Sequence, residues 1–297
     1  MAVRIIHQII TTSLTLWVAI TLTFFALRLL PGNAIDAQLQ GAGLPSAVIE
    51  ARKASLGFDQ PVLIQYGLYM SGLFTGDWGQ SLYTGQTVLE VLRVQAPTTV
   101  ALAIYAITLA TILGVLLGLL AGSSHRFASL AQMIVNLSLS IPIYVTATLL
   151  LFLVAANSAD LQRNLLLPVL TLGFHTAGAI ARMIEVTHRD LQSSPFIATA
   201  RAKGLPTQHI LTRHMLALTL LPAIPVIGVQ AGVLFSGAVL TEAIFGQSGL
   251  GVLLLNATFQ RDYPIVQGII VLTTFAYIVV NQLAQMMAHL LDPRLTR

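Results

Sequence analysis

The chain of 297 residues is strongly apolar: 56% of its residues are hydrophobic, only 9% are charged, its net charge is +4, and its mean hydropathy is +0.81. Soluble domains carry about 25% charged residues, so this composition excludes an ordinary soluble domain and indicates a membrane-embedded chain. The chain has no cysteine, which excludes a disulfide, a thiolate nucleophile and a cysteine-ligated metal site.

Six long apolar runs follow one another along the chain. Each approaches or exceeds the length of about 20 residues that a helix needs to cross a bilayer. Helices are expected because backbone polar groups inside lipid must be satisfied within the segment. The sequence therefore predicts an all-α polytopic membrane protein with six transmembrane helices, in residues 9–27, 94–122, 127–159, 164–181, 215–241 and 263–288. The first run is expected to be a retained helix, because it is longer than a typical signal-peptide core and no small-residue cleavage site follows it.

The distribution of charge predicts the orientation of these helices. If both ends are cytoplasmic, the inner segments contain nine Lys and Arg residues against three acidic residues, and the outer segments contain six against eight. Basic residues concentrate in the cytoplasmic loops of membrane proteins. The N- and C-termini are therefore predicted to be cytoplasmic. The predicted parts are residues 1–30 with the first helix, an extracytoplasmic region 31–95, and a core 96–297 with five helices and a cytoplasmic loop 182–214.

The cytoplasmic loop contains a short basic segment with signals for a helix at both ends. Ser194 suits the N-cap, and Pro195 suits the first helical position, where its missing N–H has no partner to lose. Arg201 and Lys203 fall in the last turn, where cations complement the helix dipole. Gly204 suits the left-handed residue that ends a helix. The segment is predicted to form a helix of about nine residues.

Several catalytic and metal-binding motifs are absent. Neither of the two lysines, Lys53 and Lys203, follows a glycine, which excludes a Walker A phosphate loop, so any ATP hydrolysis must take place on another chain. No histidine begins an HExxH pattern, and His209 and His214 are five residues apart, a poor spacing for one helical face. We expect no catalytic residue, no metal site and no cofactor on this chain.

A few ionisable residues lie in or near the predicted fourth helix. His175 is a candidate for a substrate role, because ionisable groups inside a membrane are often functional. The alternative is a neutral imidazole that hydrogen-bonds to a neighbouring helix, since desolvation favours the neutral form. Arg182, Glu185 and Arg189 are interpreted as ordinary pairing along one helix surface.

Two prolines, Pro222 and Pro225, fall inside the fifth run and are expected to interrupt its hydrogen-bond ladder. Such interruptions are tolerated where helices pack or line a cavity. A structural kink and a pore-lining bend both fit this pattern.

Short motifs occur in the same order through nearly the whole chain. The inner loop carries Thr199-Ala200-Arg201-Ala202-Lys203-Gly204-Leu205, then His214 and Leu221-Pro222. Further motifs stand at residues 28–32, 56–61, 65–67, 237–245, 249–251, 261–268 and 292–294. As a set, these motifs resemble the membrane permease subunits of dipeptide, oligopeptide and nickel ABC importers. The loop at residues 156–164 is shorter than is usual in this family.

The resemblance implies a type I ABC importer permease fold and roles for particular residues. The inner loop would carry a coupling helix that docks on a separate ATPase subunit, through Ala198, Thr199, Ala200, Arg201, Ala202, Lys203, Gly204, Leu205 and His214. Candidates for the transport pathway or its gate are His175, Pro222, Pro225, Gln230 and Glu242.

The resemblance also implies partners and a location. A second similar permease, two ATPase subunits that bind ATP and Mg²⁺, and an extracytoplasmic binding protein would complete the system in a bacterial or archaeal cytoplasmic (inner) membrane, with no role for nucleic acid. The lack of a His, Asp and Glu cluster favours peptides as substrate, with nickel or a metal chelate as the alternative. An autonomous channel or secondary transporter is the more distant alternative, and it would be expected to carry paired ionisable groups within the membrane.

Overall fold

Helices form almost all of the described chain. The computed structural model describes residues 2–29, 57–123, 126–155 and 165–291, together with positions 47, 50, 51 and 54. Within these residues there is no β-strand, and one isolated bridge pairs Gln80 with Thr87. The first half contains α1 (Ala2–Leu29), α2 (Val62–Thr75), α3 (Val88–Gly122), α4 (Ala128–Ser140) and α5 (Ile143–Ala155).

The second half begins with the long helix α6 (Leu166–Gln192). It continues with α7 (Pro195–Ala202), α8 (Thr207–His209), a π-helix (Ile210–Met215), α9 (Leu216–Leu220), α10 (Ala223–Gly237), α11 (Val239–Ile244), α12 (Leu250–Phe259) and α13 (Tyr263–Leu291). The predicted all-α class is confirmed. The short loop at residues 156–164 and the terminal motif at 292–294 lie outside the described residues.

The described helices account for the predicted membrane spans. Four of them are long and apolar enough to cross a membrane: Ile10–Leu29, Val88–Gly122, Leu166–Gln192 and Tyr263–Ala288. Two bent pairs, Ala128–Ser140 with Ile143–Val154 and Thr207–Leu220 with Ala223–Phe235, bring the number to six if each pair is one span. The prediction of six spans agrees with this count, and the cytoplasmic orientation of both ends stays a prediction.

The third apolar run differs in detail from the prediction of one continuous helix. Helix α4 ends at Ser140, α5 begins at Ile143, and the two axes are bent by 103°. Pro142 lies in the break, has no N–H to donate, and disfavours helical geometry in the residue before it. Ile141 is accordingly extended, with φ −79° and ψ 128°.

The fifth run is interrupted at one of its two prolines. Helix α9 ends at Leu220 and α10 begins at Ala223, with a bend of 45° across Pro222. The expected interruption at Pro222 is therefore observed. Pro225 lies in the first turn of α10 and does not interrupt it, because the N–H groups of a first turn have no intrahelical partner.

Glycines allow α3 and α6 to approach closely. Gly114, Gly118 and Gly122 recur every four residues along α3, and added Cβ atoms there would lie 2.7, 2.7 and 3.0 Å from atoms of α6. The contacts at Gly118 are the backbone oxygen of Ala181 and the side chain of Ile184. Small residues at four-residue spacing are typical of tightly packed membrane helices.

The chain divides into two compact units. The first comprises Met1–Thr98 and Ser248–Phe275, and the second comprises Thr99–Gln247 and Ala276–Arg297. The predicted boundaries at residues 30 and 95 separate the chain by side of the membrane, and they stay a prediction.

A buried carboxylate organises the turn before α3 in the first unit. Asp262 is 3% exposed and accepts hydrogen bonds from the Ser81 hydroxyl at 2.5 Å and from the Leu82 N–H at 3.1 Å. The core of this unit is apolar and consists of Val88, Leu92, Leu250, Ala257, Ile265, Val266 and Ile269. Tyr83 lies in this turn, and its side chain is 62% exposed.

Candidate functional site

Helix α7 in the second unit has the end signals that the sequence predicts. It contains eight residues, with Pro195 at its first position and Arg201 in its last turn, and Lys203 follows as the C-cap. Gly204 has φ +73°. Its N–H donates to Arg201 O at 2.9 Å, and the Leu205 N–H donates to Ala200 O at 3.3 Å. These two bonds form a Schellman motif, which ends the helix.

The N-terminal cap of α7 differs from the prediction. Ser194 occupies the N-cap position with extended geometry, but its side chain makes no capping hydrogen bond to the helix. The Ser194 hydroxyl instead donates to Leu191 O at 2.5 Å. This bond ties the start of α7 to the end of α6, and Pro195 defines the first turn without an N–H to satisfy.

One face of α7 is buried and the remainder is exposed. Ile197 is fully buried and packs with Ile210 and Met215, with Leu191 and Ala200 at the edge of this cluster. The exposed residues include most of the predicted docking set: Ala198, Thr199, Arg201, Ala202, Lys203, Gly204 and Leu205. The apolar cluster therefore holds the helix against its own chain and leaves the basic side outward.

The π-helix that follows α8 brings two histidines together. Its hydrogen bonds join residues five apart, as in Leu216 N–H to Leu211 O. The His209 and His214 rings consequently meet edge to face with centroids 5.7 Å apart, although their spacing is poor for an α-helical face. Among the residues that the structure describes, no three His, Asp or Glu side chains are grouped so that they could hold a metal ion.

The exposed cationic and imidazole groups of this loop form what we call the basic loop surface. Its members are Arg201, Lys203, His209, Arg213 and His214, all of which are exposed. The sequence contains no Asp or Glu between Asp190 and Glu242, so no carboxylate of this segment offsets the positive charge. A surface of this kind attracts acidic groups on a partner.

A cleft opens beside this surface. It has a volume of about 470 Å³. Its walls come from the end of α3, the end of α6, Arg201 of α7 and the π-helix, and the apolar lining residues include Leu119, Leu120, Ile210, Leu211 and Met215. The cleft therefore combines a mostly apolar lining with the Arg201 guanidinium and the polar side chains of Ser123, Gln192 and Thr207.

The end of α6 that leads into α7 contains a buried carboxylate between two arginines. Glu185 is 2% exposed. Its oxygens lie 3.1 Å from Arg182 Nη1 and 2.9 Å from Arg189 Nη2, and both arginines are about half exposed. The prediction of ordinary surface pairing is therefore wrong for Glu185, because its carboxylate is buried and not at the surface. Buried charged groups in proteins are normally paired, as this one is.

The same region closes the C-terminal end of α3. Arg189 Nη2 donates to Ala121 O at 3.1 Å, Gln132 Nε2 donates to the same oxygen at 3.0 Å, and Gln192 Nε2 donates to Gly122 O at 3.3 Å. The last four carbonyls of a helix lack intrahelical partners, so these side chains satisfy groups that would otherwise need water. The end of α3 is thus bonded to the segment that carries α7.

The residues predicted for a pathway or gate have separate surroundings. The half-buried His175 bonds Ser138 O and the Thr146 hydroxyl. Glu242 is fully buried, and its carboxylate accepts the Thr99 hydroxyl at 2.6 Å. Gln230 is half-buried on α10, and Pro222 lies in the break before it. Their roles stay predictions.

Comparison with known proteins identifies the family. Residues 110–297 match the family described as "Binding-protein-dependent transport system inner membrane component", and residues 1–103 match its N-terminal region. The chain belongs to this family. It is therefore an inner membrane component of a binding-protein-dependent transport system, and its apolar helices agree with a multi-pass position in that membrane.

Curated relatives of this inner membrane component cover nearly its whole length. The Escherichia coli (strain K12) protein named "Probable D,D-dipeptide transport system permease protein DdpB" is 32% identical over 93% of this chain and 92% of its own. The "Nickel import system permease protein NikB" of Staphylococcus aureus (strain MRSA252) is 30% identical over 98% of this chain and 90% of its own.

Solved structures share the fold at low sequence identity. An inward-facing structure of the MetNI methionine ABC transporter matches with a TM-score of 0.60 and 18% identity, over 69% of this chain and 97% of that chain. An amino acid ABC transporter with histidines matches with a TM-score of 0.53 and 16% identity, over 69% and 94% of the two chains. These similarities support the type I ABC importer permease fold.

Several notable features of this inner membrane component were not singled out from its sequence. The π-helix has no simple sequence signal, whereas the glycines at positions 114, 118 and 122 are visible as a four-residue repeat. The break at Pro142 also had a signal, the proline inside a long apolar run. The burial of Glu185 is a property of helix packing, which spacing along α6 alone does not reveal.

Proposed function

We propose that this inner membrane component is the permease subunit of an ATP-driven peptide importer. It would form the translocation pathway together with a second, similar permease. Two ATPase subunits would bind ATP and Mg²⁺, and an extracytoplasmic binding protein would deliver the substrate. In this assignment the chain itself catalyses no reaction and carries no cofactor, and both of its ends face the cytoplasm.

The basic loop surface is the observation that carries the coupling role. Helix α7 is short, ended at both sides, and held by buried Ile197, so its position follows that of the chain around it. Arg201 and Lys203 remain exposed for acidic groups on an ATPase. An ATPase cycle can shift the permease between conformations only if the ATPase binds those conformations with different affinities.

The packing around α7 offers a route for that shift. Leu191 of α6 contacts the Ile197 cluster, and Arg189 and Gln192 bond the last carbonyls of α3. A displacement of α7 would therefore act directly on α6 and, through Arg189 and Gln192 of α6, on α3. The cleft of about 470 Å³ beside Arg201 leaves room for an apolar side chain of the ATPase.

Peptides are the substrate that we favour, and nickel or a metal chelate is the second candidate. The relative with 32% identity is named for D,D-dipeptide transport, and the relatives at about 30% identity are named for nickel import. Uptake of a radiolabelled dipeptide and of radioactive nickel by the reconstituted complex separates the two. We expect uptake of the radiolabelled dipeptide, and we expect unlabelled peptide to abolish this uptake and nickel to leave it unchanged. Uptake of nickel alone would contradict the peptide assignment.

Reversal of charge at α7 tests the coupling role. The double variant Arg201→Glu, Lys203→Glu should insert normally and lose most ATP-dependent uptake, because its glutamates would repel the acidic groups proposed for the ATPase. We expect uptake to fall at least about tenfold, which corresponds to a loss of roughly 1.4 kcal/mol in productive docking. ATP hydrolysis should no longer respond to the loaded binding protein.

Arg126→Glu is the matched control for this reversal. Arg126 is exposed, lies on the same predicted side of the membrane, and is outside the basic loop surface. Its guanidinium lies 4.8 Å from the centroid of the adjacent Phe127 ring. Reversal of this charge should leave uptake within about twofold of wild type, since exposed charges contribute little. Undiminished uptake by the α7 variant would refute the assignment of α7 as the coupling helix.

A further inference from the structure

A polar bridge crosses the break between α4 and α5 and comes from α6. His175 Nδ1 lies 2.8 Å from Ser138 O on α4, and His175 Nε2 lies 2.9 Å from the Thr146 hydroxyl on α5. Ser138 precedes Pro142 by four residues, and Thr146 follows it by four. One side chain thus contacts both arms of the 103° bend.

The Ser138 carbonyl needs a partner because of the proline. In a continuous helix the N–H of residue 142 would donate to the carbonyl of residue 138, and proline has no N–H. Ser138 is 4% exposed, so water does not readily replace the missing donor, and an unsatisfied buried carbonyl is costly. The His175 ring supplies a donor at this point.

The chemistry of the two partners determines which nitrogen of the His175 ring carries the hydrogen. A carbonyl oxygen only accepts, so Nδ1 must carry the hydrogen and donate it to Ser138 O. In the neutral ring Nε2 then accepts from the Thr146 hydroxyl, which has a hydrogen to give. Both ring nitrogens are therefore satisfied by groups on either side of Pro142.

A glycine one turn along α6 permits this contact. A Cβ atom at Gly178 would collide with the Ser138 hydroxyl and would lie 3.0 Å from Leu139 Cγ. Gly178 therefore lets α4 lie against α6 at the level where His175 reaches Ser138. The bridge and the close approach belong to one packing arrangement within the second unit.

We propose that His175 is a positioning residue that fixes the angle between α4 and α5 by replacing the hydrogen bond that Pro142 cannot donate. It acts on transport by holding the broken span in its working geometry, not by touching substrate. The uptake readout of this inference rests on the permease function proposed above. The stability readout does not.

A double-mutant cycle with Pro142 tests the bridge. His175→Ala should leave Ser138 O without a donor, lower the melting temperature of the purified protein, and reduce uptake about tenfold, in line with the cost of one unsatisfied buried carbonyl. Pro142→Ala restores an N–H four residues after Ser138. In that background His175→Ala should lower the melting temperature by less than half as much.

Two comparisons separate the bridge from general packing. Pro222→Ala changes the other bent pair and should leave the effect of His175→Ala unchanged. His175→Asn keeps an N–H donor at the same distance from the backbone as Nδ1, and should recover more uptake and stability than His175→Leu. These comparisons remain informative if Pro142→Ala does not insert.

Equal losses from His175→Ala in the wild-type and Pro142→Ala backgrounds would overturn the proposal, and so would an Asn variant no better than the Leu variant. A wild-type complex that takes up neither dipeptide nor nickel would count against the proposed function alone. In that case the melting temperatures of the same variants still decide whether His175 bridges the break.

Discussion

Glu185, near the end of α6, forms ion pairs with two arginines of its own helix. It is buried, while Arg182 and Arg189 extend from it to the surface. Arg182 also donates to Asn136 Oδ1 of α4 at 2.5 Å, and Arg189 donates to Ala121 O of α3. The carboxylate therefore positions two cations that connect α6 to neighbouring helices, close to the start of α7.

Glu185→Gln should destabilise the protein by removing the charge at the centre of this group. Hydrogen bonds to charged groups contribute about 1.5–3 kcal/mol, and the half-exposed arginines can recover part of this from water. We therefore expect a loss of about 1–2 kcal/mol, seen as a fall of roughly 2–3 °C in the melting temperature in detergent.

Asp190→Asn provides the matched control on the same helix. Asp190 is exposed, and surface substitutions usually change stability by less than about 0.5 kcal/mol. Equal melting temperatures for the two variants would mean that the buried ion pairs of Glu185 contribute no more than a surface charge does.

At the scale of elements, the contact between α3 and α6 depends on glycine. Gly118→Ala would place a methyl group 2.7 Å from the backbone oxygen of Ala181, and backbone cannot move aside as a flexible side chain can. Overpacking of this kind typically costs about 1–3 kcal/mol. The melting temperature of the purified variant should therefore be roughly 2–5 °C lower than in wild type.

The same substitution at Gly67 is the control for helix propensity. Gly67 lies inside α2, and nothing lies within 4 Å of an added Cβ atom there. Alanine is favoured over glycine inside a helix by about 1 kcal/mol, so Gly67→Ala should leave the melting temperature unchanged or raise it. A Gly118→Ala variant as stable as Gly67→Ala would show that the α3–α6 contact tolerates a methyl group.

Hydropathy and end signals were sufficient to predict the spans and α7. Long apolar runs define spans because lipid requires internal hydrogen bonding. The ends of α7 follow from the local properties of Pro195 and Gly204, whereas the Ser194 hydroxyl bonds Leu191 O instead of capping the helix. Pro142 signals the break in the third run, but the partner of the Ser138 carbonyl was less accessible, because His175 lies 37 residues after Ser138 in the sequence. The burial of Glu185 likewise depends on packing between helices that are distant in sequence.

In the proposed membrane orientation of the whole molecule, α7 is cytoplasmic and Tyr83 is extracytoplasmic. The absence of cysteine from the sequence allows single cysteines to report on this directly. A membrane-impermeant maleimide added to intact cells should label Tyr83→Cys, where the residue is 62% exposed. It should label Ala202→Cys only after the membrane is permeabilised, and labelling of Ala202→Cys in intact cells would reverse the proposed orientation.

Cross-linking from the same positions tests whether the basic loop surface docks on an ATPase. Ala202→Cys carrying a photoreactive maleimide should form a cross-link to the ATPase subunit in the assembled complex, since Ala202 is exposed at the end of α7. Tyr83→Cys with the same reagent should form none. The yield at Ala202→Cys should also differ between nucleotide-free and ATP-trapped complexes. A complex that transports normally and gives no ATPase cross-link from Ala202→Cys in either state would contradict docking of the basic loop surface on the ATPase.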